Sequence, residues 1–224
     1  MRRTALVIGV LAAAAPAHAA GSARLSNERT ITRVAHVYAA APVRRIPRAG
    51  ARVIDRLHFH TEQGVLETYL ALRRDGDWIK IRLPGRPNGR TGWVRREALG
   101  PFLVRHKLLV VDRKALRATL FRSGEAIWTS PVGVGKASTP TPAGHFWIRE
   151  RLRSLGPSYG PWAFGTSAYS VLSEWPGGGV IGLHGTDEPQ LIPGRPSHGC
   201  IRLPNRAIRR LERHLRIGTP VLIR

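Results

Sequence analysis

The sequence predicts a mostly β protein, a small N-terminal β-barrel followed by a second mostly β domain with one late helix. Three observations carry this. Trp78-Ile79-Lys80-Ile81-Arg82-Leu83 alternates apolar and polar residues, the period of a half-buried strand. Turn-formers such as Asp75-Gly76 and the Pro84 to Gly89 stretch punctuate the apolar runs. Only Asn205 to Leu215 carries a convincing helical stripe.

The elements follow in order. Met1-Arg2-Arg3, an apolar run from Thr4 to Ala15, and Ala17-His18-Ala19 together read as a secretory signal peptide over residues 1–19, with cleavage after Ala19. The apolar run is shorter than the ~20 residues a spanning helix needs. Export to the periplasm or cell wall is therefore expected. From about Thr30 to Leu99, Val53-Ile54, Glu67 to Leu72, Trp78 to Leu83 and Gly92 to Val94 read as strands of a barrel spanning residues 30–100. The segment Asp77-Trp78 … Gly92-Trp93-Val94 resembles bacterial Src-homology-three-like domains, and the resemblance implies a spacing role or the binding of cell-wall peptides.

Gly100-Pro101 marks a junction, and the second domain is expected over residues 103–224. Lys107 to Asp112, Ala118 to Arg122 and Ala126 to Val134 form a meander, with a hairpin turn at Gly124. Ser138 to Gly144 is a rigid loop. Phe146 to Ile148 and Ser170 to Leu172 are further strands, Gly177 to Gly179 a tight turn, and Val180 to His184 a buried strand ending at a histidine. In the helix, Ala207, Ile208, Leu211 and Leu215 face inward, Asn205 caps the start and Gly218 ends it. Pro220 to Ile223 closes the fold as a last strand.

Composition narrows the function. Lysine plus arginine number 36 against 14 acids, a net charge of +22, of which the signal segment holds two. Such a charge favours a polyanionic partner. Export argues against nucleic acid and for an acidic cell wall or membrane surface. The chain has one cysteine, Cys200, so no internal disulfide can form. A lone cysteine in an exported protein is a buried inert thiol, an intermolecular link or a reactive group.

Its surroundings favour the last. Ser197-His198-Gly199-Cys200 opens one element while His184 ends another, so two neighbouring strand ends can join a thiol and an imidazole. A histidine partner that lowered the thiol pKa to about 6 would make it mostly thiolate at neutral pH. The Gly199 and Cys200 amides are candidate oxyanion donors. Strand geometry would place His198 and Cys200 on one face, so spacing alone allows either histidine as the base. His58, His60, His106, His145 and His214 have nothing nearby that lifts them above ordinary surface or core histidines. A zinc hydrolase, such as a wall amidase, using His184, Asp187, His198 and Cys200 is the rival class, but the spacing lacks an H-E-x-x-H or C-x-x-C pattern.

The string H-G-T … S-H-G-C-I-R-L-x-N, from His184 to Asn205, resembles the active-site signature of the YkuD-type L,D-transpeptidase catalytic domain. Thr139 to Gly144 resembles the family's TPxG loop, and Phe164 to Tyr169 adds to the likeness, which covers residues 103 to 224. The resemblance implies a β-sandwich-like catalytic domain with Cys200 as nucleophile and His184 as base. It implies an orienting backbone carbonyl at Gly185 or Ser197, and oxyanion or substrate contacts at Ser197, His198, Gly199 and Arg202. It further implies no metal and no cofactor, peptidoglycan stem peptides as substrate, 3→3 cross-linking through a thioester, and inhibition by carbapenem-type β-lactams. Water as acceptor would give an L,D-carboxypeptidase.

Overall fold

The computed structural model describes residues 21–153, 155–172 and 176–224. The expected signal segment lies outside the described residues.

Eight strands make the first sheet: β1 (Ala23–Arg24), β2 (Thr32–His36), β3 (Pro42–Arg44), β4 (Val53–Arg56), β5 (Thr68–Asp75), β6 (Trp78–Arg82), β7 (Thr91–Arg95) and β8 (Leu103–Arg105). Their order is β4-β3-β7-β6-β5-β2-β8, with β1 added beside β5. The alternation in β6 works as expected, since Ile79 and Ile81 are fully buried while Trp78, Lys80 and Arg82 are half-exposed. Register shifts in β3 and β5 curl the sheet. Gly92 lies at its tightest approach, where a side-chain carbon would come 2.3 Å from Val43. Among the described pairings β4 and β8 remain separate ends, so the sheet follows an open path and not the closed barrel expected. β8 also falls beyond the expected junction and pairs with β2.

The second region holds two sheets around one core. β9 (Lys107–Asp112), β10 (Arg117–Arg122) and β11 (Glu125–Pro131) form the meander, with Ser123 and Gly124 at positive φ in a two-residue turn. Then come β12 (Gly133–Gly135), β13 (Gly144–Trp147), β14 (Leu152–Arg153), β15 (Trp162–Tyr169), β16 (Val180–His184), β17 (Gly194–Ser197), β18 (Ile201–Arg202), α1 (Asn205–Glu212) and β19 (Pro220–Ile223). The sheets run β11-β10-β9-β19-β13 and β14-β15-β16-β18-β12-β17. The run expected as one strand from Ala126 to Val134 divides at Val132, and its two parts serve different sheets.

Two other expectations are corrected. The strand sought at Ser170 to Leu172 ends before it, as β15. Asn205 does not cap α1: the helix starts after Pro204 without a side-chain cap, and Asn205 Oδ1 instead accepts the Thr186 amide at 3.0 Å. The apolar stripe is as read, with Ala207, Ile208, Leu211 and Leu215 buried among Phe164, Leu183 and Ile201.

The two regions are joined by buried polar contacts. Arg149, 3% exposed, chelates the Glu67 carboxylate through Nε and Nη2 and reaches Glu62 at 3.0 Å and the Tyr169 hydroxyl at 3.1 Å. Trp147 Nε1 donates to the Thr68 carbonyl at 2.8 Å. Removing one partner of such a buried ion pair costs about 3–5 kcal/mol, because the other charge is left unpaired. Asn88 clasps the Tyr169 backbone in both directions, at 2.8 and 2.9 Å. The Arg86 guanidinium donates to the Ser170 carbonyl at 2.9 Å. These grips fix the end of β15, which borders the site.

Candidate active site

β16 and β18 lie side by side and parallel, with Leu183 opposite Ile201 and His184 opposite Arg202. The thiol of Cys200 precedes β18, and the imidazole of His184 ends β16. Both border Gly182: a side-chain carbon there would stand 3.7 Å from His184 Cδ2 and 3.9 Å from Cys200 Sγ. The absent side chain leaves the space that thiol and imidazole share.

His184 is 5% exposed, and its Nδ1 donates to the Gly185 carbonyl at 2.6 Å. A carbonyl only accepts, so Nδ1 carries the hydrogen and Nε2 keeps a lone pair on the Cδ2 side of the ring. Gly185 is held in turn by Asn205 and Gly160, where any side chain at 185 would strike Asn205 Oδ1 at 2.2 Å. Of the two carbonyls considered from sequence, Gly185 meets the ring, whereas Ser197 Oγ donates to the Cys200 carbonyl at 2.6 Å. The Tyr159 ring packs on His184, centroids 4.7 Å apart.

Burial holds the His184 pKa down at about 4, against the pull of the Gly185 carbonyl and with the Arg202 charge adding to the drop. Burial likewise pushes the Cys200 thiol up, only partly offset by the Gly182 amide, which donates to Sγ at 3.4 Å, and by Arg202. The resting pair is thus neutral thiol and neutral imidazole. This corrects the expectation of a thiol lowered toward 6, because desolvation here outweighs the stabilising groups.

The loop before Cys200 is set by Gly199. Its φ of +124° breaks the strand between residues 198 and 200, so the one-face argument for His198 does not hold. His198 is exposed, and its Nε2 accepts from the Lys136 ammonium at 3.0 Å. The Gly199 amide donates to Ser197 Oγ at 3.1 Å, and its carbonyl accepts from Thr141 Oγ1 at 2.7 Å. An amide so engaged braces the loop and has no hydrogen free for a substrate oxygen. Arg202 donates to Glu188 at 2.7 Å through Nη1, while its buried Nε has no partner.

Two cavities meet at the thiol. One, of about 190 Å³, is bordered by Ser158, Ser170, Ser197 and Arg202. The other, of about 340 Å³, runs past Phe164 and Gly182 to Leu152, Leu155 and Glu150. Tyr159, His184 and Cys200 border both. The residues weighed as zinc ligands do not converge: Asp187 takes a hydrogen bond from Ser158 at 3.3 Å, and among the described residues no three His, Cys, Asp or Glu side chains gather.

Sequence reasoning missed Tyr159, Gly182 and Glu150. Thr141 lies within the loop singled out from sequence, but its bond to the Gly199 carbonyl is a tertiary contact that the sequence does not give.

The family model of the L,D-transpeptidase catalytic domain (YkuD) matches residues 106–223. A putative L,D-transpeptidase YkuD of Bacillus subtilis (strain 168) is 32% identical over 115 residues, 51% of this chain and 64% of the relative. The chain thus spans under two thirds of that relative's length. Among solved structures, an L,D-transpeptidase from Mycobacterium smegmatis is 15% identical with a TM-score of 0.47, over 85% of this chain and 99% of that one. An LD transpeptidase in complex with imipenem is 17% identical with a TM-score of 0.44, over 88% and 83%.

Proposed function

We propose, from the premise that the chain belongs to the L,D-transpeptidase catalytic domain family, that it is an exported peptidoglycan L,D-transpeptidase acting through Cys200. The observation that carries the reading is the thiol and imidazole flanking Gly182, with the His184 tautomer set by the Gly185 carbonyl so that Nε2 is the free base.

Because both groups are neutral at rest, the proton moves as attack begins. His184 Nε2 takes the thiol hydrogen while Sγ adds to the carbonyl of the third residue of a tetrapeptide stem. The Cys200 amide is left as the donor to the developing oxyanion, since the Gly199 amide is engaged by Ser197. The imidazolium then returns its proton to the departing amine of the terminal D-alanine, leaving a thioester. Arg202, which borders the smaller cavity and has a buried Nε without a partner, suits the carboxylate of that terminal residue. An amine from a neighbouring stem resolves the thioester as a 3→3 cross-link; water in its place gives an L,D-carboxypeptidase.

Membership of the family also supports acylation of Cys200 by carbapenems, as the imipenem-bound relative is named for such a complex. The signal segment supports secretion, and the basic surface suits an acidic wall. For the first region, expected over residues 30–100 and extended by β8, we propose a Src-homology-three-like wall-binding or spacing domain ahead of the catalytic domain, which the family model matches from residue 106. The deciding experiment is intact mass spectrometry after exposure to imipenem. One adduct is expected on the native chain and none on Cys200→Ala; no adduct, or one that survives the substitution, overturns the reading.

A further inference from the structure

β15 and β16 oppose each other at Gly165 and Gly182. Opposed residues of an antiparallel pair point to the same face, with Cβ positions about 4.5–5.5 Å apart. Both are glycines, so this face has a bare floor. A side-chain carbon at Gly182 would meet His184 and Cys200; one at Gly165 would stand 2.2 Å from Glu150 Oε2. The Glu150 carboxylate therefore lies on the thiol's side of the sheet, within about 12 Å of Sγ on that pair spacing.

Glu150 is 3% exposed, yet its Oε1 has no hydrogen-bond partner. The arginines on either side in sequence are committed elsewhere, Arg149 to Glu67 and Glu62, Arg151 to Glu212. A chain with 36 basic residues has thus left one buried carboxylate unsatisfied. It borders the larger cavity, whose walls at Leu152, Leu155 and Phe164 are apolar. An unpaired carboxylate in such walls is costly unless a cation with hydrogen-bond donors arrives to meet it. A metal ion lacks ligands here, because no second acidic, histidine or cysteine group joins Glu150 in a cluster of three among the described residues. A primary ammonium fits.

We propose that Glu150 is the specificity residue for the acyl acceptor, binding the ammonium of an incoming primary amine in the larger cavity. The inference rests on the acyl-transfer reading above and assigns its second half-reaction a side. The bound ammonium gives up one proton through the Glu150 carboxylate to solvent. The freed amine nitrogen adds to the thioester carbonyl, forming the C–N bond. The C–S bond breaks with its electron pair going to Sγ, and the second nitrogen-borne proton passes through His184 to restore the thiol.

The test is the partition of the acyl-enzyme between amine and water, measured on the native chain and variants with a tetrapeptide donor and a diamino-acid acceptor. Glu150→Gln should raise the acceptor concentration that gives half-maximal transfer by about tenfold or more, the scale of one charge-assisted hydrogen bond. Transfer to hydroxylamine, uncharged at neutral pH, should keep its partition ratio, and Glu150→Asp should recover part of the loss. An unchanged partition in Glu150→Gln overturns the assignment alone. A native chain that never forms the thioester overturns the acyl-transfer reading and this inference with it. Should the Gln variant fail to fold, a tertiary-amine analogue of the acceptor decides on the native chain. It should inhibit transfer while hydrolysis continues; absence of inhibition overturns the proposal.

Discussion

The two cavities that meet at Cys200 share a thiol and an imidazole but differ in charge and wall. The smaller mixes polar and apolar walls and is bordered by Arg202; the larger is mostly apolar and is bordered by Glu150. Each end group has a buried atom without a partner, Nε in one and Oε1 in the other. On the proposed reading, donor and acceptor approach Cys200 from opposite sides, and the opposite charges of Arg202 and Glu150 would give each side its own cargo. The catalytic pair would then serve both half-reactions, with selection left to the far ends.

The largest effect should erase both sides together. Cys200→Ala should lower acylation and transfer by more than about a thousandfold, the scale of losing a nucleophile. His184→Ala should cost on the order of 10²–10⁴ in imipenem acylation, the range for a general base, whereas the exposed His198→Ala should leave the rate within about twofold. Loss confined to the His198 variant would reverse the two roles.

Arg202→Ala should separate the cavities. Acylation by a donor with a free terminal carboxylate should fall about 10–100-fold, while the partition between amine and water stays as it was. A shifted partition would mean that the two cavities are not functionally distinct.

Acidity gives a milder handle. The buried His184 has its folded pKa lowered from 6.5 to about 4. The unfolded chain then binds more protons between these values, so stability falls as pH drops from about 6.5 to 4, by about 3 kcal/mol in all. Denaturant melts across that window should show the slope, and His184→Gln should flatten it. Acylation should rise as His184 loses its proton near pH 4 and then hold level through neutral pH, since burial keeps the thiol protonated there and the neutral pair is the reacting form. A modest effect belongs to Gly182→Ala. Its new methyl makes only ordinary contacts at 3.6–3.9 Å, so stability should move by less than about 1 kcal/mol. Acylation should slow several-fold as the methyl crowds thiol and imidazole. Full activity would show that the shared space is not needed.

Much of this was readable in the chain. β9, β16 and β19 are continuous apolar runs with sharp polar or turn boundaries, and their limits match the expected ones. β15 was hidden because Gly165, Thr166 and Ser167 break its apolar pattern. Inside the fold the Thr166 hydroxyl is satisfied by the Ile181 carbonyl at 2.6 Å, so a polar residue sits in the core without penalty. Barrel closure could not be read, as it depends on whether distant edges meet. The proximity of Cys200 to His184 was legible because His184 ends β16 and Cys200 immediately precedes its parallel neighbour β18. The significance of Glu150 was not, because it depends on the register that sets Gly165 against Gly182. Asn205 looked like a cap from its position, but Pro204 already sets the backbone entering the helix and frees its side chain for Thr186.

Arg86 and Asn88 tie the site to a part of the chain synthesised much earlier. Arg86 grips the Ser170 carbonyl from 84 positions upstream, and Ser170 Oγ donates to the His198 carbonyl beside the cysteine loop at 3.4 Å. Chains fold largely in the order in which their domains emerge. Folding in that order would make the first sheet an assembly jig, in place before the last strands arrive to be clamped against it. The thiol would then be seated near the end of folding, on a surface finished first.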